Sequence, residues 1–355
     1  MPTLEINLKD KSYPICVEEG LITKIGEMLK GITEAKKVAV ITDTNVGALY
    51  SEIVMNSLST AGFSPCLIQV EPGEKSKSCD TLMKVYKKLI MNKISRWDMV
   101  LALGGGVVGD LAGFAAATYL RGIPYVQVPT SLLAQVDSSI GGKVGIDLPE
   151  GKNLIGSFYH PLAVFIDPKV LLTLNARFFS DGMAEVVKYG CIRDSALFER
   201  LLSFETKEEL LEHMEDIILA CLSVKKQVVE EDERDMGSRM ILNFGHTLGH
   251  AIEKYFGYTT YTHGEAVAMG MYQITKRSEE LGITANNTST LLKKVLLKYN
   301  LPYKLPPVNK PELIANMSTD KKGSGSYLNI VLLKSIGECF VKKIAQEEIP
   351  KFFAL

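Results

Sequence analysis

Three of the chain's five histidines, His246, His250 and His263, fall within 18 residues and have carboxylates close by. Residues 242–253 read LNFGHTLGHAIE. On a helix, His246 and His250 share one face, with Glu253 one turn further on. The HExxH metalloprotease motif uses the same histidine spacing but needs Glu directly after the first His, where this chain has Thr247. Protease chemistry is therefore set aside. YTHGEAVAMGM (261–271) places His263 and Glu265 just before another helical stretch, and GMAEVVKYG (182–190) puts Glu185 and Lys188 three apart on one helical face. Two or three histidines plus a carboxylate, with one position left open, make the donor set of a catalytic zinc site. Spacing alone nominates His246 and His250 as the ligand pair. A packed or solvated imidazole is the alternative for each taken singly. His160 and His213 have no comparable context.

A second kind of chemistry is written in the first half. GGGVVG (104–109) follows an apolar run, opens a helical pattern and satisfies G-x-G-x-x-G. Glycines there let the backbone approach a pyrophosphate, which gains from free N–H groups and the helix dipole. The acid that normally binds the ribose about 20 residues further on is missing, since no Asp or Glu occurs from Leu111 to Val136. Asp43, at the end of another apolar run, can serve the ribose instead, and Glu74 and Lys77 lie in a turn of the same kind. The bland alternatives are helix caps and solvated charges. The stretch PTSLLAQVDSSIGGKVGIDLPEGKNLIG (129–156) interleaves Asp137, Ser138, Ser139, Lys143, Lys152 and Asn153 with glycines, and lysines in such a loop suit phosphate. It reads as a long irregular segment of the functional kind.

The elements that position these groups differ between the two halves. VAVIT (38–42), PCLIQV (65–70), MVLAL (99–103) and YVQVP (125–129) read as buried strands alternating with helical patterns, which predicts βαβ units and a parallel sheet. From about Phe178 amphipathic patterns dominate, as in EELLEHMEDIILACLSVKKQVV (208–229), and only YLNIVLL (327–333) and ECFVKKI (338–344) look like strands. The turn-rich DPKVLLTLNARFFSDG (167–182) marks the boundary. The fold class expected is an N-terminal α/β domain with a parallel sheet, residues 1–177, followed by a mostly α-helical domain, 178–355. At 355 residues the chain has room for both cores. A net charge of −1 gives no general pull toward nucleic acid. No apolar run approaches the ~20 residues that span a bilayer, and the N-terminus lacks a signal peptide's order. Six cysteines without close pairing fit a reducing cytosol. A soluble cytoplasmic protein is expected, with no membrane or nucleic-acid partner.

Taken in order, the motifs TDTN (42–45), PGEKSK (72–77), GGGVVGD (104–110), YLRG (119–122), QVPTSLLAQVDSSIGGKVGID (127–147), GKNLIG (151–156), GMAEVVKYG, LNFGHTLGHAIE, HGEAVAMGM (263–271) and DKK (320–322) resemble the 3-dehydroquinate synthase family, within the sugar phosphate cyclase superfamily. The resemblance covers most of the chain. It implies an NAD-binding first domain and a metal- and substrate-binding second one. Carried over position by position, the ligands of a Zn2+ or Co2+ ion are Glu185, His246 and His263, so His250 becomes substrate-facing. NAD meets Asp43, Glu74, Lys77, Gly104, Gly105, Gly106, Asp110, Thr130, Ser131, Lys152, Thr173 and Leu174. The catalytic set is His250, Lys143, Asn243, Asp137, Lys188, Lys225 and Arg239. Arg121, Asn153, Lys321 and Lys322 bind substrate, Arg121 from the neighbouring subunit of a homodimer. Two places depart from the family pattern: TLPxRE is here TLNARF, with Asn175 for Pro and Phe178 for Glu, and Asp235 stands where a Glu is usual.

The reaction that the resemblance implies turns a seven-carbon sugar acid phosphate, 3-deoxy-D-arabino-heptulosonate 7-phosphate, into the carbocycle 3-dehydroquinate, a step of the shikimate pathway to aromatic amino acids. A ring hydroxyl is transiently oxidised at the expense of NAD, which acidifies the adjacent C–H so that phosphate leaves. The ketone is then reduced again, the ring opens and an intramolecular aldol closes the carbocycle. Lys143, Lys152, Asn153 and a DKK lysine are expected to form a phosphate pocket, and Lys225 and Arg239 to take the carboxylate. The rival readings are an aminodehydroquinate or epi-valiolone synthase, a metal-dependent alcohol or glycerol dehydrogenase, and a non-catalytic NAD-binding scaffold. Asn243 and His250 speak against the valiolone type. The lysines at 143, 152, 225 and 322 speak against the dehydrogenases.

Overall fold

The four apolar runs of the first half form four adjacent strands, ending at one edge of a seven-stranded sheet. Its strands are β1 (Thr3–Ile6), β2 (Tyr13–Val17), β3 (Lys37–Asp43), β4 (Ser64–Val70), β5 (Met99–Gly104), β6 (Tyr125–Pro129) and β9 (Val164–Ile166), in the order β1-β2-β9-β6-β5-β3-β4. Every pairing is parallel except β1 with β2. The remaining two strands of this region, β7 (Lys143–Leu148) and β8 (Gly151–Phe158), form a separate antiparallel hairpin. The computed structural model describes residues 2–9, 11–319 and 327–353. It divides into two units, Met1–Asn175 with Lys225–Arg234, and Ala176–Val224 with Asp235–Leu355.

Alternate residues of the central strands feed two cores. Ala39, Ile41, Val100 and Ala102 pack with α3 (Cys79–Met91) and α4 (Gly106–Thr118). Val38, Val40, Met99, Leu101 and Leu103 pack on the other face with α1 (Ile25–Lys30) and α2 (Thr44–Thr60). Burial on both faces is why these strands read as unbroken apolar runs, each large aliphatic contributing about 1.5–3 kcal/mol. The chain leaves β3 toward β4 on one side and β5 toward β6 on the other. The carboxyl ends of β3 and β5 therefore flank a topological switch point, where open α/β sheets bind ligands.

Three local expectations are corrected. Residues 129–156 are no irregular loop: a π-helical stretch, Ala134–Ser138, leads into the β7–β8 hairpin. Its backbone hydrogen bonds are met by pairing that the glycine-rich sequence disguises. The turn-rich 167–182 is a 3-10 helix, Pro168–Thr173, followed by the start of α5 (Ala176–Ile192). The helical pattern of 208–229 is interrupted at His213, separating α7 (Lys207–Glu212) from α8 (Met214–Glu231), with α6 (Ser195–Ser203) before them.

Among the described residues, the regular structure of the second unit is helical apart from the hairpin β10 (Tyr327–Ser335) and β11 (Glu338–Ala345). Besides α5 to α7 and the first part of α8, it holds α9 (His246–Tyr255), α10 (His263–Glu280), α11 (Thr288–Lys298), α12 (Lys310–Thr319) and α13 (Ile349–Phe353). The packing of α10 depends on glycine. A Cβ on Gly270 would lie 2.1 Å from the Gly245 carbonyl oxygen, and one on Gly264 2.1 Å from that of Asp181 in α5. Backbone meets backbone at both points, so neither neighbour can give. Gly270→Ala is expected to destabilise the protein by about 3 kcal/mol, the upper end of overpacking costs. Urea unfolding reads it, and an unchanged midpoint would show that the helices have room to part. Among the described residues no helix is long and apolar enough to cross a membrane.

Candidate metal centre and nucleotide cradle

The close approach of α10 to α9 and α5 brings three side chains together in the second unit. Glu185 lies in the buried second half of α5, His246 opens α9 and His263 opens α10. One ligand atom from each lies within 4.8 Å of the others. Nε2 of His246 is 3.5 Å and Nε2 of His263 is 3.6 Å from the same oxygen, Glu185 Oε1. The opposite ring nitrogens are engaged elsewhere: His246 Nδ1 lies 3.1 Å from the Phe244 carbonyl, and His263 Nδ1 lies 3.3 Å from Glu253 Oε2. Acceptors at both Nδ1 positions hold a proton there and turn both Nε2 atoms toward Glu185. Burial pushes the His246 imidazole down to about 3, so it stays neutral. Burial also opposes a charge on His263, but hydrogen bonds to Glu185 and Glu253 prevail and hold it well above the ordinary histidine range.

This arrangement corrects the pairing that spacing suggested. The His246 and His250 rings lie edge to face, 5.4 Å apart, but among the described residues no three-donor group contains both. His250 instead groups with Glu253 and His263. Sharing a face of α9 puts two rings side by side without turning their nitrogens toward one point; a partner from α5 decides that. Lys188, one turn after Glu185, is 1% exposed and ion-paired with it. Arg239 (3% exposed) and Asn243 lie on a 3-10 turn, Ser238–Asn243, just before α9. Helix α5 also fixes the start of α10. Asp181 Oδ1 accepts from the Gly264 amide at 2.5 Å, and Arg177 holds Glu265 through two hydrogen bonds of 2.7 and 2.8 Å. The sequence reading assigned no role to Asp181, Arg177 or Glu253, although Glu253 sits on the helical face that it singled out.

In the first unit, Asp43 and the glycines flank the switch point. Asp43 caps α2, its Oδ1 accepting from the Asn45 and Val46 amides at 2.8 and 2.9 Å. Helix α4 begins at Gly106, with Gly105 as a cap that has no side chain to spend on the first amides. A Cβ on Gly106 would lie 2.9 Å from Ser138 Oγ, and one on Gly105 3.2 Å from Ser131 Oγ. The cradle is one that side chains would fill. Thr130 is buried beside it, its amide donating to the Gly104 carbonyl at 3.0 Å. Thr173 hydrogen-bonds the Tyr50 hydroxyl at 2.6 Å, and the Leu174 amide closes the same turn.

Lys77 is the hub of this region. Its side chain is 4% exposed, and Nζ lies 2.8 Å from Asp110 Oδ2, 2.5 Å from Asn153 Oδ1 and 3.5 Å from Glu74 Oε1. Burial works against its charge, but Asp110 and Glu74, with Asp147 behind them, hold the ammonium well above the ordinary lysine range. Lys152 approaches Glu74 at 3.8 Å, and the Asn153 amide donates to Asp147 Oδ1 at 2.7 Å. Exposed Lys143 pairs with Phe158 at the far end of the hairpin, while Leu148 pairs with Gly151 beside the turn. Along the hairpin the backbone of Lys143 is thus about 13 Å from that of Lys152 and Asn153 at ~3.3 Å per residue. The Asn153 side chain joins the Lys77 cluster. Lys225 Nζ donates to the Asp137 carbonyl and carboxylate at 2.5 and 2.6 Å. Arg121 is exposed, on a turn where Leu120, Arg121 and Gly122 all have positive φ. Lys321 and Lys322 lie outside the described residues.

Comparison with known proteins decides the family. Residues 67–181 match the model of the 3-dehydroquinate synthase N-terminal region, and 182–323 that of its C-terminal region. A curated 3-dehydroquinate synthase from Clostridium kluyveri is 54% identical over 99% of this chain and 98% of its own. The chain belongs to the 3-dehydroquinate synthase family. Its backbone also superposes on solved cyclases. A 2-deoxy-scyllo-inosose synthase complexed with carbaglucose-6-phosphate, NAD+ and Co2+ matches with TM-score 0.87, 25% identity and 99% coverage of both chains. A 2-epi-5-epi-valiolone synthase from Streptomyces hygroscopicus with NAD+ and Zn2+ bound matches with TM-score 0.88 and 26% identity, over 98% of this chain and 97% of the other. Two departures from the 3-dehydroquinate synthase pattern now have a setting. Phe178 is 54% exposed, so the carboxylate it replaces would have been solvated. Asp235 has φ +57°, a left-handed conformation in which Asp is much better tolerated than Glu.

Proposed function

We propose that this chain converts 3-deoxy-D-arabino-heptulosonate 7-phosphate to 3-dehydroquinate and inorganic phosphate, with NAD and one Zn2+ or Co2+ as resident cofactors. The observation that carries the reading is the convergence of Glu185, His246 and His263 in a chain 54% identical to a 3-dehydroquinate synthase along its length. The donor set fits a zinc-type ion: one carboxylate and two imidazoles whose Nδ1 atoms are already engaged. The uncapped start of α4 fits a pyrophosphate. When bound, NAD supplies a reversible hydride acceptor and the metal a Lewis acid.

The chain's own residues do the rest. Arg239 takes the substrate carboxylate, its planar fork binding both oxygens. Asn243 orients a substrate hydroxyl, and His250 moves a proton near the leaving phosphate. Lys188 holds Glu185 in its buried position and presents positive charge to substrate oxygens. In the first unit Lys143 and the Asp137–Lys225 pair are the proposed substrate-facing groups, Asp137 fixing the Lys225 ammonium in place. Asn153, drawn toward Lys77, serves by shaping the nucleotide cradle as well as by meeting substrate. The enzyme works in the cytoplasm as a homodimer. The exposed Arg121 supports this reading, since a positive-φ turn that costs about 1–3 kcal/mol per residue presents it outward. Release of phosphate from the heptulosonate phosphate, with and without NAD and a chelator, is the test. Turnover indifferent to both omissions would refute the proposal.

For NAD, Asp43 or Glu74 fixes the adenosine ribose in place of the missing downstream acid. Because Asp43 also caps α2, Asp43→Ala mixes loss of the cap, about 1 kcal/mol, with loss of the ligand contact. Asp43→Asn keeps the cap and removes only the charge. Calorimetry on Asp43→Asn and Glu74→Ala is expected to show weakened NAD binding in at least one. Parental affinity in both would send the ribose elsewhere.

A further inference from the structure

We propose that Glu253 is a positioning residue of the metal centre, its carboxylate holding the His263 imidazole in the tautomer and orientation that present Nε2 to the ion. The inference rests on Glu185, His246 and His263 being the ligands. It concerns a residue that belongs to neither the ligand set nor the substrate set proposed above.

The two histidines are supported in different ways. His246 gives its Nδ1–H to the Phe244 carbonyl, a backbone group two residues away that substitution cannot remove. His263 gives its own to a side chain, Glu253 Oε2, at 3.3 Å. Glu253 lies on α9, one helical turn after His250, and its side chain is 3% exposed. A carboxylate is kept so far from water only where a partner compensates its desolvation. Glycine makes the partnership possible, because a Cβ on Gly249 would lie 3.1 Å from the Val267 backbone and would push α9 away from α10. A carboxylate behind a ligating imidazole orients the ring and raises its basicity, and losing such a partner typically costs about 10–100-fold in metal affinity.

The test uses the full chain and Zn2+ itself. Chelator competition is expected to show about tenfold weaker binding for Glu253→Gln, which keeps shape and an acceptor but drops the charge. Glu253→Ala, which drops both, should weaken binding toward 100-fold. The visible absorption bands of the Co2+-loaded protein are expected to shift in the same order. A purely packing role would lower thermal stability and leave affinity and spectrum alone. Zinc affinity within twofold of the parent in Glu253→Gln, with an unchanged cobalt spectrum, overturns the inference even if the alanine variant fails to fold. His263→Ala separates the two levels. If it loses zinc while the Glu253 variants do not, only the role of Glu253 falls; if it keeps zinc, the ligand assignment falls and takes this inference with it.

Discussion

Replacing His263 by alanine is expected to leave a folded protein that no longer retains metal through dialysis and no longer turns over. Glu185 and His246 alone offer two donors, and the Lewis acid that they fail to hold is worth several kcal/mol at the transition state. The rate should fall about 10³-fold or more, the equivalent of ~4 kcal/mol. The ring sits at the half-buried start of α10, with 27% of its side chain accessible, so its removal opens no sealed cavity. Circular dichroism should therefore be close to the parent's. His250→Ala provides the contrast. It should keep one metal per chain and lose about 10²–10⁴ in rate, the usual worth of a positioned proton-transfer group. If His263→Ala still carries stoichiometric metal and turns over, or if His250→Ala is the variant that loses the ion, the ligand set is wrong.

Arg239→Ala is expected to weaken the enzyme's ability to tell a sugar acid phosphate from a neutral sugar phosphate. Arg239 is 3% exposed. A substrate with no carboxylate to meet it incurs a desolvation penalty of about 1–3 kcal/mol or more. Sites built around such a group reject analogues lacking its partner by as much as ~10⁴-fold. The parent should accept the heptulosonate phosphate and reject sedoheptulose 7-phosphate. The variant should lose most activity on the first while its preference shrinks, because the penalty for the neutral substrate disappears with the charge. Comparable turnover of both sugars by the parent would favour a valiolone-type cyclase, the class to which one of the solved neighbours belongs.

What the sequence made legible follows from how each part is held. The runs at 38–42, 65–70, 99–103 and 125–129 became β3 to β6 with ends displaced by a residue at most. For β3, β5 and β6 burial on both faces leaves a continuous apolar run, while β4, at the sheet edge, is partly exposed. The β7–β8 hairpin left no such trace. Much of β8 is exposed or half-buried and both strands carry glycine, so neither alternation nor an apolar run marks it. At the metal centre, spacing along α9 found the right face but the wrong pair, since Glu185 arrives from α5, about 60 residues earlier, by tertiary packing. The family resemblance supplied that partner. It could not supply Lys77 to Asn153, a bond across 76 residues that only the folded chain reveals.

The return of Lys225–Arg234 to the first unit bears on how such an enzyme can be taken apart. A fragment ending at Asn175 would contain every strand of the parallel sheet, yet it would lack Lys225, which grips Asp137, and Glu233, whose Oε1 lies 3.0 Å from His160 Nε2. Swapping nucleotide-binding halves between cyclases by a single crossover would therefore mismatch an ion pair and a hydrogen bond inside one module. An exchange that keeps them intact needs three junctions, near 175, 225 and 234, so in recombination terms the two units are interleaved rather than arranged in tandem.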